Sequence, residues 1–239
     1  MNLIYRPIRF SKPYRSILIG MSNSKQKYFE SFQSDKIYHI YNHAVGHENL
    51  FRDRENYLYF LKKYGQYIQP VCKTFAYCLM PNHFHFLIEI RSIEELYNHF
   101  KFLKSGDNII KFEDFNGPEF VMQQFSNLFN AYAKAYNKRY KRRGALFNDY
   151  LRRKIVDQAR YFSTLIYYIH TNAIHHKFCN NISEWEFTSY ESILSGKSTK
   201  LERERAISWF GNSKDFSEFH HKKPSLWKPD EIKELEFLK

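Results

Sequence analysis

Residues 81–90 read Pro81-Asn82-His83-Phe84-His85-Phe86-Leu87-Ile88-Glu89-Ile90, and their alternation decides the fold. Side chains of an extended strand point alternately to its two faces. Phe84, Phe86, Ile88 and Ile90 therefore share one face and His83 and His85 the other. The apolar face needs a core to cover it. Phe75–Met80 is a second strand separated from the first by Pro81-Asn82 alone, which reads as an antiparallel hairpin. Upstream, Lys36–Ala44 alternates Ile37, His39, Tyr41 and His43 against Tyr38, Ile40 and Asn42, again a strand. Between them Asp53 caps a helix with Tyr57, Phe60, Leu61 and Tyr64 on one stripe.

Downstream, Ser92 with Glu95 is a capping box for a short helix reaching about Lys104. Gly106–Pro118 is polar and turn-rich, hence a loop. Val121–Arg143 is a periodic helix ending in a basic run before Gly144; Asp149–Val156 is a last strand, and Asp157–His176 a helix. The order β-α-β-β-α-β-α predicts an α+β domain with a ferredoxin-like antiparallel sheet and helices packed on one face. The expected organisation is a basic N-terminal arm over 1–34, a catalytic domain over 35–178 and a C-terminal extension over 179–239. Trp185, Trp209 and Trp227 suggest that the extension packs on the domain.

Composition narrows the function. The 239 residues carry 37 Lys and Arg against 25 Asp and Glu, a formal charge of +12, with 19% aromatic and 43% hydrophobic residues. Only 8 Gly and 7 Pro exclude a collagen-like or Gly/Pro-rich disordered chain. The longest apolar run falls far short of the ~18 residues of a membrane span. The start is basic and acid-free, but its Ile17–Gly20 patch is too short for a signal-peptide core, and Met21 is a second candidate start. Cys72, Cys78 and Cys179 cannot all pair and show no zinc spacing, which fits a reducing cytoplasm. Excess positive charge with abundant aromatic rings points to a polyanionic partner, since Lys and Arg neutralise phosphates and rings stack on unpaired bases.

His83 and His85, about 7 Å apart along one strand face, can converge on one metal ion, or are two satisfied histidines at a strand start. In the helix 157–176, Phe162, Leu165, Ile166, Ile169 and Ala173 form the buried stripe, and Tyr168 and Asn172 stack one turn apart at its edge. Beside two imidazoles, a phenol and a carboxamide would make a metal-assisted tyrosine nucleophile; alone, they are a helix-flank pair. Tyr132 and Tyr136 are also four apart but neither has an amide at that spacing, so they read as core or DNA-stacking residues, with Tyr132 kept as a competing nucleophile. His39 and His43 can line the same site, although core or surface places suit them as well. The basic clusters Lys138, Arg139, Lys141, Arg142, Arg143 and Arg152, Arg153, Lys154 are the candidate DNA contacts, or simply a solvated face.

The stretches YHIYNHAVGHENLFRD, YCLMPNHFHFLIEI, AYAKAYNKRYKRRGALF and IYYIHTNAIHH, within about residues 36–190, resemble the single-tyrosine HUH transposases, in particular the REP-associated tyrosine transposase branch. PNHFHFL is similar to that family's HUH motif and YIHTN to its tyrosine helix. The resemblance implies an HUH endonuclease-type fold with His83, His85 and Asn172 as ligands of Mg²⁺ or Mn²⁺ and Tyr168 as nucleophile. It implies cleavage and strand transfer on single-stranded or hairpin DNA through a 5′-phosphotyrosine intermediate, and domains that often pair as homodimers. Where the family often has Pro after the Asn, this chain has Ala173, which lets the helix run on toward His176. The rivals are a domesticated relative that holds structured DNA or RNA without cutting, and a metal-dependent hydrolase that uses activated water.

Overall fold

Alternation is the physical origin of the sheet. In the computed structural model, which describes residues 31–104, 110–149, 151–157 and 159–222, β1 (Ile37–His43) pairs antiparallel with β3 (His83–Ile90), His43 opposite His83 and Tyr41 opposite His85. β2 (Cys72–Met80) pairs with the other side of β3, and β4 (Arg152–Ile155) with the other side of β1. The order β2-β3-β1-β4 with antiparallel neighbours throughout is the expected α+β, ferredoxin-like sheet. β2 begins three residues earlier than its sequence suggests. A register shift between Thr74 and Ala76 breaks its alternation, so Phe75 and Ala76 both join the core on the histidine side.

The crossovers are α1 (Arg54–Tyr67), capped by the Asp53 side chain, and α3 (Gly117–Arg139), which pack together. They cover the Phe face: Phe84, Phe86, Ile88 and Ile90 share one core with Phe60, Tyr64, Val121, Phe125, Leu128 and Tyr132. α2 (Ile93–Leu103) carries the expected capping box of Ser92 and Glu95. α3 starts before Val121 because Asn116 caps it and Pro118 occupies its first turn. It ends at Arg139, before the expected Arg143, where Lys141 and then Gly144 take positive φ (51° and 90°).

One part of the expectation is corrected: helices cover both faces. α4 (Ala159–His175) lies across β2 and β3 on the histidine side, where Phe162, Leu165, Ile166, Ile169 and Ala173 pack on Leu87, Cys78 and Met80. β3 is therefore buried along its whole length. Ala173 keeps the backbone N–H that carries the helix on to His175.

Residues of the extension close the open edge of β2. The Leu79 amide donates to the Phe187 carbonyl (2.9 Å), the Ser189 amide to the Tyr77 carbonyl (3.0 Å) and the Trp185 indole to the Leu79 carbonyl (2.9 Å). Capping the edge in this way removes a template for pairing with another chain. α5 (Tyr190–Leu194), α6 (Arg203–Ser208) and α7 (Ser213–His221) follow, and Trp209 lies 4.6 Å from the Phe162 ring. The N-terminal arm up to residue 30, Trp227, and the rest of the chain after Lys222 lie outside the described residues. No helix among the described residues is long and apolar enough to cross a membrane.

Phe86 tests the Phe-face core. It is 1% exposed, stacked at 4.3 Å on Tyr64. Phe86→Ala should cost about 3–5 kcal/mol, the range for a buried Phe whose site collapses only partly. In a thermal melt followed by circular dichroism this is a fall of roughly 10 °C; an unchanged melt would show that the sheet does not depend on this face.

Candidate functional site

The register sets a row of polar groups across the histidine face. His83 stands beside His43, His85 beside Tyr41, and, on the far side of β1, Arg152 beside Tyr41 and Lys154 beside His39. The His83 ring stacks on His43 at 4.3 Å and meets His85 edge-on at 5.4 Å. All of His39, His83 and His85 are at most 2% exposed. α4 lays Tyr168 and Asn172 over this row. The Tyr168 ring centre is 5.7 Å from that of His85 and 6.3 Å from that of His39, both edge-on. Asn172 is fully buried against His83. His175 and His176 lie exposed at the end of the helix, with His176 ring-to-ring with His83 at 4.7 Å. The structure thus brings together all four groups singled out on the hairpin and the helix.

Burial keeps these imidazoles neutral. It depresses the pKa of His83 to about 2, helped by His43 and His176 and opposed by Asn172. It takes His39 to about 3, with Lys154 adding to the effect, and His43 to about 4, with Arg152 and His176 adding. His85 is pushed down by burial, then by His39. Hydrogen bonds hold the rings: His83 Nδ1 donates to Asn82 Oδ1 (2.7 Å), and His85 Nδ1 shares a 2.9 Å bond with His39 Nε2. By contrast, His85 Nε2, His43 Nε2 and both amide atoms of Asn172 are buried and make no hydrogen bond of ordinary geometry among the described residues, although Asn172 stands close enough to His83 to raise its pKa.

Such orphaned atoms bear on whether a metal fits. A metal-binding imidazole is neutral, offers one nitrogen and engages the other in an orienting hydrogen bond; His83 and His85 satisfy the first and last of these, and His85 Nε2 is free. Among the described residues no three His, Cys, Asp or Glu side chains gather as a ligand set. The residues present therefore fit a divalent ion only with Asn172 Oδ1 as third donor. That donor set is uncharged, so anionic oxygens from a substrate would have to supply the negative charge.

Neutral buried histidines make stability fall in acid. In the unfolded chain each would take up a proton near pH 6.5, while the folded chain holds it off, so the unfolded state binds more protons and stability drops as pH falls from about 6.5 toward 4. The slope is about 1.4 kcal/mol per pH unit for each fully buried histidine. Three of them, His39, His83 and His85, would exhaust an ordinary stability of about 5–15 kcal/mol within a few units. Circular dichroism should show cooperative acid unfolding with a midpoint near about pH 5. A flat signal down to pH 4 would mean that these rings charge in place.

The basic residues divide four ways. Lys138, Lys141 and Arg143 are exposed. Arg139 is committed to Glu55 (2.6 Å) and Asp53 (2.8 Å), and Arg142 to Glu48, Asn137 and the Ala145 carbonyl, where it braces its own loop. Arg153 is a correction: 1% exposed, it points to the Phe face with its guanidinium 4.8 Å from the Phe32 ring. Alternation along β4 turns the middle of three consecutive cations inward, leaving Arg152 and Lys154 on the histidine side. Tyr132, the competing tyrosine, is 1% exposed on the opposite side of the sheet; its hydroxyl donates to the Leu50 carbonyl, and burial pushes its pKa up.

Sequence reasoning had no place for Tyr41 or His176, and it left His39 undecided. The signal for His39 and Tyr41 was present in the alternation of β1; the pairing register that sets them beside His85 was not.

No family model matches this chain, and no curated protein sequence does. Among solved structures, one described as a REP-associated tyrosine transposase bound to a REP hairpin aligns with 73% of this chain and 93% of that chain. The TM-score is 0.44 and the identity 12%. That likeness is too distant to rest a function on.

Proposed function

We propose that this protein is a metal-dependent endonuclease and strand transferase for single-stranded, hairpin-forming DNA, with Tyr168 as nucleophile. The observation that carries this is the meeting of a phenol and an orphaned carboxamide, one helical turn apart, with two neutral imidazoles under the same helix. The Tyr168 hydroxyl oxygen bonds to the scissile phosphorus, the bond from phosphorus to the 3′ oxygen breaks, and the phenolic proton is lost to solvent while the 3′ oxygen takes one up. The products are a 5′-phosphotyrosine link and a free 3′-hydroxyl. The link keeps a phosphodiester bond, so a 3′-hydroxyl of another strand reverses the step and joins the DNA. An unperturbed phenol near pKa 10 is a weak nucleophile at neutral pH. Mg²⁺ or Mn²⁺ held by His83, His85 and Asn172 would supply charge neutralisation at the scissile phosphate. His39 holds the His85 ring in place, and Asn82 the His83 ring. Arg152 and Lys154, on the same face, position the DNA backbone; Lys138, Lys141 and Arg143 extend the basic surface.

The test is a denaturing gel of labelled single-stranded DNA incubated with the protein and Mn²⁺. A covalent protein–DNA adduct is expected. Cut ends with no adduct would replace this reading by a hydrolase that activates water, and retarded but intact DNA by a binding protein.

A further inference from the structure

His170 sits between Tyr168 and Asn172 in sequence but faces away from them. At about 100° per residue it lies roughly 180° round α4 from their midpoint, and it is 1% exposed. Its Nδ1 is 3.0 Å from His220 Nε2 on α7, and its Nε2 is 2.8 Å from Ser189 Oγ. Ser189 Oγ in turn accepts from the Tyr77 amide of β2 (2.8 Å), and His220 Nδ1 is 2.7 Å from the Phe216 carbonyl. The direction of every bond follows from that carbonyl. It can only accept, so His220 carries its proton on Nδ1 and offers a lone pair on Nε2. His170 then donates from Nδ1, and as a neutral ring it accepts at Nε2 from the Ser189 hydroxyl (2.8 Å), in preference to that hydroxyl's longer contact with the Tyr77 carbonyl (3.3 Å). Burial takes the pKa of His220 down to about 4 and keeps that ring neutral, as this chain of bonds requires. A continuous path of hydrogen bonds thus runs from the edge strand through the tyrosine helix to α7 of the extension.

We infer that the extension positions the tyrosine helix, with His220 acting through His170; this rests on the reading of Tyr168 and Asn172 proposed above. The apolar stripe of α4 holds the helix to the sheet without fixing its roll, because apolar contact is non-directional. The hydrogen bonds on the opposite flank are directional. With side-chain tips about 5–6 Å from the axis, a roll of ~10° moves the far flank by about 1 Å. Misplacement on that scale costs on the order of 100-fold in rate. His220 is a positioning residue: it touches neither substrate nor Tyr168.

The experiment measures single-turnover adduct formation with Mn²⁺, and affinity for the same oligonucleotide, in the full chain, His220→Phe and His220→Gln. His220→Phe fills the space but offers no acceptor; it should slow adduct formation about 100-fold with affinity unchanged. His220→Gln places an amide oxygen where Nε2 stood and should restore most of the rate. A wild-type rate in His220→Phe, or equal slowing in both variants, overturns the inference. If His220→Phe fails to fold, ¹⁵N NMR of the unaltered protein decides: the Nδ1–H form of His170 upholds it and the Nε2–H form overturns it. If the unaltered protein makes no adduct, the assignment of Tyr168 fails separately, and amide exchange over α4 judges this inference. Faster exchange in His220→Phe but not in His220→Gln upholds it; unchanged exchange in His220→Phe overturns it.

Discussion

Tyr168→Phe should abolish the covalent protein–DNA adduct, with a loss of about 10⁴-fold or more in single-turnover cleavage, the scale for deleting a nucleophile. The change removes one oxygen and keeps the ring that packs edge-on against His85 and His39. Fold and DNA affinity should therefore hold, measured by melting temperature and by gel retardation of an uncut oligonucleotide. The contrast with Tyr132→Phe sharpens the result. That hydroxyl is a buried anchor to the Leu50 carbonyl on the other side of the sheet, so its loss should cost roughly 1 kcal/mol of stability and leave adduct formation intact. An adduct that survives Tyr168→Phe would move the nucleophile elsewhere.

His83→Ala and His85→Ala should each lose metal-stimulated cleavage by at least about 100-fold, since either removes one of only two imidazole donors. Calorimetric titration with Mn²⁺ gives a readout independent of turnover: a binding isotherm for the unaltered protein, weakened or absent in either variant. Asn172→Ala should behave likewise if its orphaned oxygen is the third donor. Structural costs differ between the two histidines. His85→Ala strands His39 Nε2, which shares the 2.9 Å bond with His85, whereas His83→Ala uncovers His43, stacked on it at 4.3 Å. Unaltered cleavage in either variant would remove the metal from this site.

Much of the fold was legible because local periodicity carries burial. Phe84, Phe86, Ile88 and Ile90 against His83 and His85 placed a strand and sorted its faces, and Phe162, Leu165, Ile166, Ile169 and Ala173 gave the stripe of α4, each of these five at 1% exposure or less. Asp53 and Ser92 marked helix starts because a cap is a contact within one turn. The partners of the basic residues were not legible, because they lie far away in sequence. Arg139 and Arg142 are tied to acids from the stretch after β1, and Arg153 is turned inward by the pleat. That α4 covers the face opposite the crossover helices was hidden for a related reason: His83 and His85 look like a polar, open face until the helix that buries them is in place.

Two side-chain periods, near 2 for the strands and near 3.6 for the helices, were written in the order of residues and required nothing distant. They put the imidazoles on one side of β3 and stacked Tyr168 with Asn172. Which strand lies beside β3, and so why His39 touches His85, follows from a register that no local pattern encodes. The same holds for His170 and His220, fifty residues apart and joined only when α7 docks. Contacts of that kind are set by the whole core closing at once, because a buried polar atom finds its partner only after every surrounding surface has packed.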